Sequence, residues 1–462
     1  MIPLTLRDIA EITGGRLSGD PDIRIDGPVV TDSREAAPGS LYVARIGEHA
    51  DGHSFIPAAH EGGARASLVT RDVETPAVVV EDVQAAFAAL ASEVVRRRVA
   101  AGMSVVGITG SSGKTTTKDL LAAVLEQHAP TVANVGSLNS EVGVPLTVCR
   151  VTEQTEILVL EMGARGLGHI DYLTGMAPPQ VGVVLNVGSA HLGEFGSRET
   201  IGRAKSELVA ALPEGGLAVL NADDDIVRGM VERTRARVCL VGRAADAEIR
   251  AENVILDARG APSFDLLLDG QRRRVSLTLL GEHQVDNALA VVAVARHIGM
   301  SLDAVTAALE SARPGSRWRM ERHDRPDGVV IVNDAYNANP DSMSAALRTI
   351  ARIERRGRAV AVLGAMYELG ADSVAEHRRM GALAAELGYD TLVAVGLDAG
   401  AIADGTADHP GSDVEVYRAD TVDHAATFLE NYLDPGDVVL LKSSRDAGLR
   451  LLGDALTQEA RT

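Results

Sequence analysis

An apolar, β-branched run, Val105 to Ile108, leads directly into Thr109-Gly110-Ser111-Ser112-Gly113-Lys114-Thr115, and a helix-compatible stretch from Thr116 to Glu126 follows. A strand, a glycine-rich loop and a helix start, in that order, turn backbone N–H groups and the positive end of a helix toward phosphate. In such a loop Lys114 reaches the β/γ-phosphates of ATP and the Thr115 hydroxyl binds Mg²⁺, while Gly110, Ser111, Ser112, Gly113 and Thr116 complete the cradle. The strict spacing of that loop is missed by one residue, because position 108 is Ile and the nearest glycine is Gly107. The segment reads as a variant ATP-binding loop. A plain glycine- and serine-rich turn is the alternative.

At 462 residues the chain has room for about three domains. Apolar residues at 46% with aromatics at only 3% fit an α/β protein with an Ala/Val/Leu core. A formal net charge of −19 argues against nucleic acid as a partner and leaves room for a local basic pocket that takes a phosphorylated small molecule. Cys149 and Cys239 are the only cysteines and lack metal-ligand spacing, so free thiols in a reducing cytosol are expected. Met1 to Leu17 carries Arg7, Asp8 and Glu11 with no apolar signal core, and no run approaches the roughly 18 apolar residues of a membrane span. The expectation is a cytoplasmic protein without membrane insertion.

Residues 1–98 form a first unit. It opens on a short amphipathic helix with Leu6, Ile9 and Ala10 on one face, Thr5 as its cap and Gly14-Gly15 as its stop. A strand at 39–45 follows, and an Ala-rich helix from Val83 to Val99 closes the unit. From 99 to 313 apolar strands (105–109, 157–160, 181–187, 217–220) alternate with helical patterns, the sign of a mostly parallel sheet covered on both faces. Ligand groups belong at the carboxyl ends of such strands, where Glu161 and His191 fall. The alternation restarts over 314–462 with strands at 329–332, 359–363, 391–395 and 438–441 and a helix over 342–350; Arg313 to Ser316 is a candidate hinge.

Several polar residues stand where these elements end. Glu161 can hold Mg²⁺ directly or through water, or merely cap a helix. His191 can be a second ligand or an exposed loop histidine. Lys205 is indistinguishable by spacing from a solvated helix lysine. Asn287 begins an Ala-rich helix and can cap it or meet a base edge. In the third unit, Asn333-Asp334-Ala335-Tyr336-Asn337-Ala338-Asn339-Pro340 is polar after a strand, which favours ligand contact over a tight Asx turn. Arg319 and Arg445 can each grip phosphate or carboxylate oxygens in a bidentate way, or sit in surface ion pairs.

Together these stretches resemble the Mur ligase family, ATP-dependent enzymes that extend the cell-wall peptide on UDP-N-acetylmuramic acid. The resemblance spans nearly the whole chain, with the motifs in the family's order. Thr109 to Thr115 is similar to the family's own loop, which lacks the extra glycine. Glu161 and His191 match its metal-binding Glu and His, Lys205 its carbamate-bearing lysine, and Asn287 the Asn near adenine. Asn139, in Gly136-Ser137-Leu138-Asn139, resembles the Asn of the loop facing the UDP-sugar substrate. Arg319 lies in Trp318-Arg319-Met320-Glu321, where the family has Gly at the first position. Asp32-Ser33-Arg34 and Asp51-Gly52-His53 resemble nucleotide-sugar segments. Ala365 and Ser443 depart from the family, which usually has Asp and Gly there.

The resemblance implies three α/β domains: a UDP-sugar-binding unit (1–98), a central P-loop ATPase unit (99–313) and a Rossmann-like unit (314–462) that binds the incoming amine. Asp334 to Pro340 looks like the family member that adds D-alanyl-D-alanine to UDP-MurNAc-tripeptide. Metal ligands would be Thr115, Glu161, His191 and Lys205 as a carbamate, with Lys114 completing the catalytic set. ATP would meet Asn287, Arg319, Asp334 and Asn337, bridging the second and third units. The other substrates would meet Asp32, Ser33, Arg34, Asn139, Tyr336, Asn339 and Arg445. A monomer is expected. Two alternatives stay open: a superfamily ligase with another acceptor (a single amino acid, or folylpolyglutamate), and a nucleotide-binding homologue that does not ligate.

Overall fold

The computed structural model describes residues 1–47, 50–188, 192–313 and 315–457. Thr5 caps helix α1 (Leu6–Thr13) as expected. Its hydroxyl accepts from the Asp8 N–H at 3.1 Å, and the Asp8 carboxylate accepts from the Thr5 N–H at 2.8 Å. Gly14, with φ of 65°, ends the helix in the left-handed conformation that glycine adopts without penalty. A five-stranded sheet follows in the order β1-β5-β4-β3-β2, where β1 is Arg16–Ser18, β2 Val29–Val30, β3 Ser40–Val43, β4 Ala64–Val69 and β5 Ala77–Val79. Helix α2 (Val83–Ala100) buries Val83, Phe87, Leu90 and Val94 in an apolar cluster that also holds Val105, Val144 and Leu158. It therefore packs the first sheet's unit onto the next one.

The second sheet has nine strands: β6 (Ser104–Thr109), β7 (Thr131–Ala133), β8 (Ile157–Glu161), β9 (Val181–Val184), β10 (Leu217–Asn221), β11 (Arg237–Gly242), β12 (Ile249–Leu256), β13 (Pro262–Leu268) and β14 (Gln271–Ser276). Their order is β14-β13-β12-β11-β10-β9-β6-β8-β7. Strands β6 to β12 pair in parallel, while β12-β13-β14 is an antiparallel meander. The chain runs from β6 to β7 on one side and returns to β9 on the other. This strand-order reversal beside β6 opens a crevice at the carboxyl ends. The four strands read from sequence are present, with β9 ending at Val184 instead of 187. The meander was not anticipated.

Helix α3 (Lys114–Leu125) follows β6, helix α4 (Arg198–Ala210) precedes β10, and helix α5 (Gln284–Ile298) covers the sheet near α3. Gly107 lies inside β6, not in the loop. A Cβ there would come within 2.7 Å of Leu208 Cδ1, so the glycine lets α4 approach the strand closely.

The third sheet runs β15-β16-β20-β17-β18-β19, with β15 (Glu321–Asp324), β16 (Val330–Asn333), β17 (Ala359–Gly364), β18 (Thr391–Val395), β19 (Glu415–Ala419) and β20 (Val438–Lys442). All pairs but β15-β16 are parallel. Helix α6 (Pro340–Ala351) matches the expected one and begins two residues earlier, because Asn339 and Ser342 form a capping box ahead of Pro340. The hinge expected at 313–316 includes Pro314, which lies outside the described residues.

Candidate active site

The loop after β6 is built as its composition demands. Gly113 takes φ of 80°, and a Cβ on it would sit 2.8 Å from Asn287 Oδ1, so glycine is required by both backbone and space. Asn186, just past β9, clasps the loop: its carbonyl accepts from Ser111 N–H at 3.0 Å and its Oδ1 from Ser112 N–H at 2.9 Å. Ser111 Oγ in turn accepts from Gly188 N–H at 2.9 Å. Lys114 Nζ folds back onto Gly110 O at 2.8 Å. Burial holds its ammonium below the ordinary range; Glu161 opposes that shift and Arg319 adds to it.

Glu161 closes β8 and is 1% exposed. Its Oε2 accepts from the Thr115 hydroxyl at 2.7 Å and its Oε1 from Asn139 Nδ2 at 2.6 Å. The expected metal carboxylate, loop hydroxyl and substrate-loop Asn thus meet at one point. A carboxylate and a hydroxyl are hard oxygen donors, suited to Mg²⁺ held jointly with substrate phosphates. Among the described residues no group of three His, Cys, Asp or Glu forms a metal centre unaided. Lys205 faces the same cavity from α4 and is buried; burial first, and then the charge of Lys114, push its pKa well below the ordinary lysine range. His191, expected as a ligand, lies outside the described residues.

The opposite wall comes from the third sheet. Asp334, just past β16, accepts from Met320 N–H at 3.0 Å through Oδ1 and from Lys442 Nζ at 2.6 Å through Oδ2. Lys442 is 2% exposed and also donates to Asn337 O at 3.1 Å. Arg319 lies 4.2 Å above the Tyr336 ring, and its buried Nε has no hydrogen-bond partner among the described residues. The Tyr336 hydroxyl bonds Ser137, in the loop that carries Asn139, so loops of the two walls touch across the cavity. Trp318 and Met320 both take positive φ, 60° and 51°. That explains why glycine suits position 318. Trp318 is held there by Nε1–H donating to Asp454 Oδ1 at 2.9 Å and by Glu321 accepting its N–H at 2.8 Å.

Between these walls lies a cavity of about 860 Å³. It gathers Ser111, Ser112, Gly113, Lys114, Thr115 and Thr116 with Asn139, Glu161, Lys205 and Asn287 on one side, and Arg319, Asp334, Tyr336, Asn337 and Asn339 on the other. Gly110 and Arg445 are not in the lining, although Arg445 approaches the Tyr336 ring to 5.7 Å. Asn339, expected to contact substrate, engages its side-chain oxygen with Ser342 N–H at 2.8 Å. Asp32, Ser33 and Arg34 lie away from the lining in a tight 3-10 turn, where Asp32 accepts from Arg34 N–H at 3.0 Å and pairs with its guanidinium. His53 is buried between Asp51, at 2.7 Å from Nδ1, and the Thr70 N–H, at 3.0 Å from Nε2. Lining residues that sequence reasoning missed include His283, Gln284, Asp286 and Lys442. The first two sit one turn before Asn287, a position the Asn287 reading could have extended to.

Family models match three consecutive stretches of the chain: "Mur ligase family, catalytic domain" over 28–104, "Mur ligase middle domain" over 108–295 and "Mur ligase, glutamate ligase domain" over 318–445. The UDP-N-acetylmuramoyl-tripeptide–D-alanyl-D-alanine ligase of Mycobacterium tuberculosis is 45% identical, with 99% of this chain and 98% of the relative covered. The ligase of the same name from Escherichia coli is 37% identical over 88% of this chain and 90% of its own. Among solved structures, MurF from Acinetobacter baumannii superposes with a TM-score of 0.88 at 31% identity over 99% of both chains. MurF from Thermotoga maritima in complex with ADP gives 0.81 at 31% identity, covering 94% of this chain and 99% of that one.

Proposed function

Because the chain belongs to the Mur ligase family, we propose that it joins D-alanyl-D-alanine to UDP-N-acetylmuramoyl-tripeptide at the expense of ATP. The observation that carries this is the single cavity in which Lys114, Thr115 and Glu161 on the central sheet face Arg319 and Asp334 on the third. We assign the UDP-sugar to residues 1–98, ATP to 99–313 and the incoming dipeptide to 314–462. No described helix is long and apolar enough to cross a membrane, and both cysteines are buried and unpaired, which fits a reducing cytoplasm. One chain supplies the whole cavity, so a monomer suffices.

The terminal carboxylate of the tripeptide attacks the γ-phosphorus of ATP and ADP leaves, giving an acyl phosphate. The dipeptide amine attacks the acyl carbon, loses a proton and expels inorganic phosphate. Lys114 and the N–H groups of the loop take up the charge on the transferred phosphoryl, chiefly by fixed electrostatics. Arg319 approaches it from the facing wall, with Asp334 and Asn337 against the nucleotide and Asn287 beside the base. Thr115 and Glu161 would hold Mg²⁺, which when bound draws charge off the phosphoryl oxygens. His191 and Lys205 complete the ligand set in this reading. Burial favours the neutral form of Lys205, and a neutral amine adds to CO₂ and loses a proton to become an anionic carbamate. Asn139 and Tyr336 then face the peptide, and enclosure keeps water from the acyl phosphate.

The test is phosphate release from ATP with UDP-MurNAc-tripeptide, with and without D-Ala-D-Ala. Release that needs both, with matching pentapeptide product, is expected. Release that needs a free amino acid and a shorter nucleotide peptide would transfer the chain to another acceptor, and ATP binding without release would make it a non-catalytic homologue.

A further inference from the structure

Strand β7 pairs with β8 only at Thr131, Val132 and Ala133, opposite Ile157, Leu158 and Val159. The edge strand thus runs out before β8 reaches Glu161. Met162 N–H still bonds across to Ile108 O on β6, at 2.8 Å, so the Glu161 N–H points to the vacated side. There Asn134 Oδ1 accepts it at 2.6 Å. The rest of Asn134 is equally engaged. Its Nδ2 donates to Leu138 O and, at 3.2 Å, to Thr147 Oγ1, and its carbonyl accepts from the buried Lys118 at 2.7 Å. The residue is 3% exposed.

One amide therefore fixes both ends of a small ring: the backbone at Glu161, and the loop whose Asn139 donates to the Glu161 carboxylate. Asn139 is in turn pressed against the strand end, since a Cβ on Gly163 would meet its Oδ1 at 2.9 Å. We infer that Asn134 is the positioning residue of the Glu161 carboxylate, replacing by its side chain the ladder bond that β7 is too short to supply. Asn134 itself is not among the residues that line the cavity. It holds Glu161 and Asn139 in the mutual geometry that a divalent cation requires, and groups placed one step behind a ligand typically control about 10- to 100-fold in metal affinity.

This inference rests on Glu161 being a metal ligand, and the experiment separates the two. Mn²⁺ binding to the full chain with ADP is followed by electron paramagnetic resonance, beside ADP affinity without metal and the melting temperature. Asn134→Ala should weaken Mn²⁺ about 10-fold or more, with metal-free ADP affinity unchanged, a split that general loosening of the fold would not produce. If Asn134→Ala fails to fold, Thr147→Val, which removes one Nδ2 contact together with the Thr147 hydroxyl's own bond to Gly143 O at 2.8 Å, carries the comparison with about a threefold loss expected. Wild-type Mn²⁺ affinity in these variants, with Glu161→Gln impaired, would overturn the inference. Wild-type affinity in Glu161→Gln would instead overturn the metal reading beneath it.

Discussion

The two walls of the cavity are built differently. On the central-sheet wall, Thr115, Asn134 and Asn139 each bond Glu161 at 2.6 to 2.7 Å, at the end of β8. On the facing wall, Asp334 is as firmly held by Lys442, but Arg319 rests on the ring of Tyr336 with its Nε unbonded among the described residues. The contact between the walls, Tyr336 to Ser137, belongs to neither sheet. The difference teaches that the wall proposed to take metal and phosphate is prefabricated, while the facing wall leaves its arginine free to meet a ligand.

The largest effect should come from the prefabricated wall. Lys205→Ala should lower ligation by about 10³-fold, the scale on which removal of a preorganised charge is felt. Added short carboxylates should restore part of it, and a fully active variant would remove Lys205 from the site. Steady-state rates with and without formate or acetate decide this.

A smaller effect should come from the facing wall. Tyr336→Leu removes both the ring beneath Arg319 and the Ser137 bond and should cost about 10-fold or more in kcat/KM, about fivefold of it from a cation–π contact worth about 1 kcal/mol. Tyr336→Phe keeps the ring, loses only the Ser137 bond, and should cost about threefold. Equal losses in the two variants would mean that Arg319 is held by something other than the stack.

The smallest effect concerns Asp286, whose carboxyl is pushed up to about 6, chiefly by burial and against the pull of Arg243. A carboxyl raised in the folded state is destabilising when ionised, so its cost is full above pH 6 and disappears toward the unfolded value of 3.8. The side chain is 39% exposed, so solvent screening reduces the cost to about 1 kcal/mol. Asp286→Asn should therefore raise Tm slightly at pH 8, with about half the gain at pH 5. A pH-independent change would show that Asp286 titrates normally.

What was legible in the sequence follows the same division. The parallel strands of the second and third sheets are buried on both faces and read as continuous apolar runs, so Val105–Thr109 and Thr391–Val395 stand out. The meander over 249–276 alternates, with Arg272, Arg273 and Arg274 in its outer strand, and such a charged edge lacks the apolar run that marks its neighbours. Lys114 and Thr115 stood out because a glycine-rich loop lies between a β-branched run and a helix start, and Glu161 because it ends an apolar strand; the structure brings all three to one cavity. Asn134, Lys118 and Lys442 were not: each is a lone polar residue whose role arises only when distant strand ends are brought together. Asn339 shows the converse, a polar residue after a strand whose side chain works as a helix cap.

The central claim, that the peptide carboxylate is activated by phosphorylation in this cavity, is tested most directly by following its oxygen. UDP-MurNAc-tripeptide labelled with ¹⁸O in the terminal carboxylate is incubated with ATP and D-Ala-D-Ala, and the released phosphate is analysed by mass spectrometry. Transfer of one ¹⁸O to phosphate for each pentapeptide formed is the predicted result. Pentapeptide formation with unlabelled phosphate would contradict the account.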